Sequence, residues 1–435
     1  MIAEKLMTLY PGDKPGGTPG LFGEPYYWWE AGAAFGALVD YQHLTRSTQY
    51  QDVTTTAILH QVGPDINFQP PNQTHCLGND DQVFWAFASL TAAETNFPDP
   101  PPSSPQWLSL AQAVFNIQST RWDPEHCGGG LRWQVYNFNR GWDYKNSVSN
   151  GGFFLLGARL AKYTGNGTYA EWAEKTWDWS RDAGLIDAEG GVRDGMDVNV
   201  CKIDMDGGDG RVMWSYNAGI YLAGAAVMWD VSEGPAKEKW KSAIDFLLPR
   251  TLSNFFDKNG IMFEPACEPY NKCNVDQRSF KGYLSRFLSI TARVAPFTAS
   301  QIMPLLKSSA VAAVKSCAAG PDGNTCGLKW YSGGWDGNQG VGEQLSALET
   351  VQSCLTPVGD GKMQIPAWVT EHAGGTSRGD PNAGMEVKEI EQNLVRIDTK
   401  DEAGAWILTV ITIVSIMAMA VWVSFAPFNR PGKAA

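Results

Sequence analysis

The stretch "NAGIYLAGAAVMW", residues 217–229, is apolar and rich in small residues on every side of the helix it would form. A helix without a polar face must bury its whole circumference. "EAGAAFGALVDY", residues 30–41, has the same character, whereas "EWAEKTWDWSRDAG", residues 171–184, keeps a polar face. Segments of the two kinds alternate, which predicts hairpins of one inner and one outer helix closed into a ring, with the loops of one rim forming a cleft. Helices are predicted at about 28–45, 81–96, 105–118, 147–164, 168–183, 215–229, 237–256, 278–294, 299–316 and 341–352. The fold class is therefore all-α, a toroid of helical hairpins. No sequence-level repeat marks its symmetry, so the reading rests on alternation.

At roughly 100–200 residues per domain, 435 residues would make two or three domains. No linker interrupts residues 26–355, so they read as one large domain with an ample core. The net charge of -12 argues against nucleic acid and anionic lipid surfaces, which need clustered Lys and Arg. A neutral substrate fits better. With 18 Trp, aromatic content exceeds what such a core usually demands, and exposed Trp faces bind sugar rings; packing between helices accounts for most of them.

Eight cysteines without C-x-x-C spacing, and five scattered histidines, favour disulfides over a metal site. Two local pairs are expected, Cys267 with Cys273 and Cys317 with Cys326. Cys76, Cys127, Cys201 and Cys354 stay unassigned, with Cys76 to Cys127 the guess if they pair. The sequons at Asn72 and Asn166 lie in polar, loop-like stretches and agree with passage through a secretory compartment. "DMDGGDG", residues 204–210, reads as a solvated acidic loop rather than a calcium site, and no metal or cofactor is assigned.

Residues 403–426 carry no charge over about 24 positions, long enough to cross a bilayer. Arg430 and Lys433 follow and would stay cytoplasmic, which puts the main domain outside. The competing reading is a glycosylphosphatidylinositol attachment signal at Asn382-Ala383-Gly384, whose spacer is longer than the usual 8–12 or so. The organisation expected is one helical domain over 1–356, a polar, disordered linker over 357–402, a membrane segment over 403–426 and a short polar tail over 427–435. Met1 to Gly20 shows no export signal, and "MIAEKLMTLY" reads as the later part of an amphipathic helix with Ile2, Leu6 and Leu9 on one side. Together with the cysteines and sequons, this suggests an amino terminus that begins too late.

"GNDDQVFWAF", residues 78–87, crowds Asp80 against Asp81 at a helix start. An N-cap at Asp80 and a dipole-complementing Asp81 would explain that without chemistry. The apolar run behind makes the site partly dry, and like charges so close push one pKa upward. Cleavage of a glycosidic bond uses such a split: one carboxylate attacks the anomeric carbon while the other donates a proton, at a separation of about 5–5.5 Å in retaining enzymes. Further loops running into helices offer Asn, Tyr, Lys and Asp to hydroxyls and aromatic faces to pyranose rings. They are "YYWWEAG" (26–32), residues 128–152, "WSYNAG" (214–219), "RSFKGYLSRFL" (278–288) and "YSGGWDG" (331–337). The substrate-binding candidates are Trp28, Trp29, Glu30, Asn79, Gln82, Trp133, Tyr144, Asn146, Asn150, Tyr216, Asn217, Lys281, Trp335 and Asp336. For Asn146, Asn150 and Asn217 the plain alternative is helix capping; for Lys281 it is an ion pair or solvated face, and for Trp335 it is the core.

The ordered set "YYWWEAGAAFG", "GNDDQ", "CGGGLRWQ", "YKNSVSNGGFF", "WSYNAG", "CNVDQRSFKGYLSRF" and "GVGEQLSALE", spanning residues 26–352, resembles glycoside hydrolase family 76, the endo-α-1,6-mannanases, and particularly its fungal cell-wall branch. The resemblance implies an (α/α)6 barrel and a retaining mechanism with Asp80 as nucleophile and Asp81 as acid/base. It also implies action on α-mannosides in the glycosylphosphatidylinositol core glycan and transfer of wall glycoproteins to a glucan acceptor; a monomer is expected, at the outer face of the membrane that the apolar segment and its flanking charges predict. Hydrolysis as an endo-α-1,6-mannanase is the alternative outcome. Gly151-Gly152 stands where relatives often place a cysteine, which leaves the partner of Cys127 open. A non-catalytic sugar-binding module on a membrane stalk and a structural wall-tethering protein are the readings from other classes. No P-loop, dinucleotide fingerprint, zinc motif or Ser-His-Asp set competes.

Overall fold

The computed structural model describes residues 1–356, 367–385 and 399–425. These fall into two units, Met1–Met385 and Glu386–Ala435. In chain order the first unit contains α1 (Ile2–Thr8), α2 (Trp28–Thr45), α3 (Gln51–His60), α4 (Asn79–Glu94) and α5 (Trp107–Ser119). Strand β1 (Tyr144–Asn146) leads into α6 (Ser147–Thr164) and α7 (Gly167–Asp182), followed by β2 (Gly195–Asp197), α8 (Ser215–Val231) and α9 (Gly234–Phe255). The unit continues with α10 (Phe280–Val294), α11 (Ala299–Ser316) and α12 (Val341–Ser353).

The even-numbered helices form the inner ring: α2 packs on α4, then α6, α8, α10 and α12 follow in turn, and α12 closes back on α2. Their sequences explain it. Every residue of α8 from Ser215 to Met228 is buried, and α2 is buried without a break from Trp28 to Asp40. Glycine permits the closest approaches: a Cβ at Gly224 would lie 2.3 Å from the Phe154 ring, and one at Gly282 would lie 2.7 Å from the backbone of Ser346. The odd-numbered helices lie outside, α3 on α2, α5 on α4 and α6, α7 on α6, α9 on α8, and α11 on α10 and α12. Helix α1 packs on α12, so the sixth hairpin joins the two ends of the barrel. Gln344 Nε2 donates to the carbonyl of Ile2 (3.1 Å) across that junction.

Two local expectations change. Helix α3, "QDVTTTAILH", was not anticipated; its β-branched run lowers helix propensity, and burial of Thr54, Ala57 and Ile58 overrides it. Helix α1 stops at Thr8, so Leu9 falls outside it and is exposed, while Ala3 and Leu6 form the buried face and Tyr10 is fully buried.

At the end of the barrel toward which the inner helices run, buried ion pairs replace apolar packing. Arg159 bonds Glu94 at 2.6 Å and Arg286 bonds Asp40 at 2.8 Å, and both guanidinium groups donate to Thr91 Oγ1. Trp368 covers this end, with the guanidinium of Arg293 at 3.9 Å from its ring centroid.

Part of the expected linker is built into the barrel. Residues 367–385 run along α4, α5 and α6, with Val369 N donating to the carbonyl of Glu94, and with Asn116 donating to the carbonyls of Pro381 and Ala383. The remainder of the linker expected over 357–402 lies largely outside the described residues, as does all of the tail over 427–435. The second unit contains a helix, Thr399–Phe425, with exposed apolar side chains from Trp406 to Trp422. Among the described residues no helix is long and apolar enough to cross a membrane.

Cys267–Cys273 and Cys317–Cys326 are bonded as expected, with Cα atoms 4.8 and 3.7 Å apart. The guess of Cys76 with Cys127 is overturned. Cys127 bonds Cys201, 5.1 Å between Cα atoms, because the loop before β1 and the loop after β2 meet beside the two-stranded ladder. Cys76 is an exposed free thiol and Cys354 a half-buried one.

Candidate active site

The first turns of α2, α4, α8 and α10 converge on a cavity of about 390 Å³. Its floor holds Asp80 and Asp81, and its walls include Trp28, Trp29, Trp133, Trp214, Tyr216 and Phe280. A wider cavity of about 930 Å³ shares Trp133, Arg140, Trp214 and Gln277 with it and continues along Tyr144 and Asp194. Together they make one cleft at the rim where the inner helices begin.

Local sequence places the two acids. Gly78, not Asp80, is the N-cap of α4, which leaves Asp80 and Asp81 in its first turn. Asp81 reaches back to accept the Gly78 N–H at 2.6 Å, half of a capping box. Asp80 Oδ2 accepts the indole N–H of Trp133 at 3.1 Å. A side chain at Gly78 would put its Cβ 2.1 Å from Asp80 Oδ1, so only glycine leaves room for that carboxyl.

Both acids are half-buried and open onto the cleft, and both hold protons more tightly than free carboxyls. Burial pushes Asp80 up to about 7, against the pull of its own backbone N–H, that of Asp81 and the Trp133 indole, with the charge of Asp194 adding to the rise. Asp81 is pushed well above its ordinary range by burial and then by the charge of Asp80, with the Gly78 N–H as its one opposing donor. The causes differ between the two: the charge of Asp80 adds to burial in raising Asp81, whereas Asp80 takes the Trp133 indole on Oδ2 while its Oδ1 has no hydrogen-bond partner among the described residues.

A third carboxyl, Asp276, lines the same cavity; Trp29 Nε1 donates to it at 3.1 Å, and burial raises it to about 6. It stands inside the quoted "CNVDQRSFKG" motif but was not among the candidates. Nor were Trp214, Phe280 and Arg140, which also stand in quoted motifs and line the cavity. What the motifs lacked was any sign of which residue of each turn faces inward.

Of the candidates, Trp28, Trp29, Trp133 and Tyr216 line the catalytic cavity and Tyr144 the adjoining one. Tyr216 is stacked on Phe280 with centroids 3.9 Å apart, and Tyr144 OH donates to Asp194 at 2.8 Å. The others are drawn away from the cleft. Asn79 and Gln82 are buried behind the catalytic turn, where their side-chain oxygens each accept from Arg121 at 2.7 Å. Asn146 caps α6 by accepting from Ser149 N, and Asn150 pairs with both the N–H and the carbonyl of Leu131. Lys281 is buried against Glu268 at 2.8 Å with its ammonium over the Trp330 ring. Asp336 holds a turn through Leu328 N and Lys329 N, while Trp335 is exposed and lines neither cavity.

Glu30 and Asn217 are fully buried, and none of their side-chain polar atoms has a hydrogen-bond partner among the described residues. Burial, and then the charges of Asp276 and Glu343, hold the Glu30 carboxyl well above the usual carboxylate range. Among the described residues no group of His, Cys, Asp and Glu is arranged to hold a metal ion, and Asp204 in the acidic loop is spent on the backbone N–H groups of Asp206 and Gly207.

An acid pair at the floor of an aromatic cleft in a helical toroid matches what the comparisons find. The model of glycosyl hydrolase family 76 matches residues 1–364. The chain belongs to this family. Glycosyl hydrolase family 76 membership makes the protein a glycoside hydrolase and its barrel the α/α type of that family. Mannan endo-1,6-alpha-mannosidase DCW1 of Saccharomyces cerevisiae is 45% identical over 430 residues, 98% of this chain and 92% of the yeast protein. The crystal structure of Dfg5 from Chaetomium thermophilum, solved with glucosamine, superposes with a TM-score of 0.83 at 45% identity, covering 89% of this chain and 94% of that one. The fold extends to a more distant member, the α-1,6-mannanase of Salegentibacter sp. HEL1_6, with a TM-score of 0.63 at 18% identity, covering 81% of this chain and 98% of that one. That mannanase was solved as an inactive variant, with two adjacent aspartates replaced by alanine, bound to α-1,6-mannotetraose.

Proposed function

We propose that the protein is a retaining α-mannosidase in which Asp80 attacks the anomeric carbon and Asp81 protonates the departing oxygen, then activates the incoming hydroxyl. The observation that carries this is two adjacent carboxyls, Asp80 and Asp81, opening together onto one aromatic cavity. The Trp133 indole donates to Asp80, and burial with the charge of Asp80 raises Asp81, which favours the proton an acid must donate. Both stand in a cleft walled by indole and phenol faces, the surface that pyranose rings stack on. Adjacent aspartates are also what the inactive mannanase variant lacks.

The finer reading is that the donor is an α-mannoside of a glycosylphosphatidylinositol core glycan and that the glycosyl-enzyme is passed to a wall glucan rather than to water. The adjoining cavity of about 930 Å³ supports it, since transfer needs room for an acceptor beside the reacting sugar. Work at the outer face of the membrane fits the three disulfides, which persist in oxidising compartments, and the exposure of the sequon asparagines Asn72 and Asn166. Attachment through 403–426 belongs to the same proposal.

Intact-mass analysis of wild type and Asp81→Ala, incubated with an α-mannoside carrying a good leaving group, tests the reading. A mannosyl adduct on Asp80, discharged onto an added glucan oligosaccharide, is the expected result. Absence of both adduct and turnover with α-mannosides would defeat it and leave the pair as a helix start.

A further inference from the structure

The loop that supplies Trp133 to Asp80 continues through Tyr136 and Phe138, and it presents an aromatic surface that the catalytic chemistry does not use. Phe138 is 60% exposed. Its ring lies nearly parallel to that of Tyr136, 12° between planes and 5.3 Å between centroids. His75 is a further neighbour, its ring centroid 5.9 Å from that of Phe138 and its plane tilted by 59°, and His75 itself lines the catalytic cavity. Phe138 thus neighbours both Tyr136 and a residue of the cavity lining.

The platform is held in place. Asn139, buried beneath it, donates to the carbonyl of Thr74 and to Gln134 Oε1, both at 3.0 Å, which ties the loop to the turn carrying His75. Asn139 N also donates to the carbonyl of Tyr136 at 3.1 Å, closing the turn that lifts Phe138 into solvent. A large apolar ring fixed in water at a cleft mouth asks for an occupant, and the occupant must continue from the cavity. Paired flat rings suit the C–H face of a pyranose, a neutral ligand with one apolar side.

We propose that Tyr136 and Phe138 form a stacking subsite for a pyranose ring of a neutral oligosaccharide, one that extends beyond the catalytic cavity on the side of His75. The inference rests on the glycosidase reading for its ligand class, and its test reads binding rather than turnover. Calorimetric titration of wild type, Phe138→Ala and Phe138→Trp with α-1,6-mannotriose and, separately, with a β-1,3-glucan tetrasaccharide decides it, with circular dichroism confirming that the exposed substitutions leave the fold intact. Phe138→Ala should weaken at least one ligand roughly two- to tenfold, the range of one aromatic stacking contact, and Phe138→Trp should restore it. Loss confined to the mannoside places the donor chain on the platform; loss confined to the glucan places the acceptor there. Equal affinity of wild type and Phe138→Ala for both sugars, or binding of neither sugar to the wild type, overturns the platform. Failure of the glycosidase reading shows separately, as absence of a mannosyl adduct in a protein whose sugar binding still responds to Phe138.

Discussion

The two ends of the barrel bury carboxyls in opposite ways. At the closed end Glu94 and Asp40 are each matched to a guanidinium, Arg159 and Arg286, and a shared threonine hydroxyl completes the set. At the open rim Asp80 and Asp81 are flanked by indoles and by each other, with no ion pair to Lys or Arg among the described residues. The contrast teaches that burial alone does not make a carboxyl reactive. A paired carboxylate contributes to holding the barrel closed, whereas an unpaired one keeps a perturbed proton equilibrium that chemistry can use.

The largest effect should come from Asp80→Asn, which removes the nucleophile: turnover of an activated α-mannoside falls about 10⁴-fold or more. The same variant probes the cost of an unpaired acid. The folded pKa of Asp80, about 7, lies above its unfolded value of 3.8. Both states are protonated below pH 3.8; as pH rises toward 7 the unfolded chain loses that proton first and is favoured. Wild type therefore loses stability relative to Asp80→Asn across this window, and melting curves of the two should diverge by a few degrees between pH 4 and about 7. Melting curves that stay parallel across that window would mean the acid pays nothing for its burial.

Breaking the closed end is a test of stability rather than chemistry. Arg159→Met strands the buried Glu94 carboxylate and should lower unfolding free energy by about 3–5 kcal/mol in denaturant titrations. If unfolding is unchanged, the pairing does not hold that end.

Trp133→Phe keeps an aromatic wall and removes the indole N–H from Asp80, so the carboxylate form loses a donor and its pKa rises further. The acidic limb of kcat/KM should move to higher pH, with a rate loss of roughly tenfold below neutrality that shrinks as pH increases. A pH-independent loss would assign Trp133 to substrate packing instead. Smallest of all should be Trp335→Ala, which removes an exposed ring that lines neither cavity; turnover and melting should stay within error of wild type.

Most of the helices were legible because their signals are local: an all-round apolar pattern such as residues 217–229 leaves burial on every side as its only low-energy environment. The acid pair was legible for the same reason, as two charges ahead of "VFWAF" at a helix start. Sequence alone thus determined an all-α toroid, two of the disulfides and a glycosidase-like pair. Tertiary structure decided what depends on residues distant along the chain. It set α1 against α12 to close the ring, bonded Cys127 to Cys201, turned Asn79, Gln82 and Lys281 away from the cleft, and brought Asp276 into it. A polar side chain beside a helix start faces ligand or scaffold according to which partner the neighbouring hairpin supplies, and that partner lies tens to hundreds of residues away.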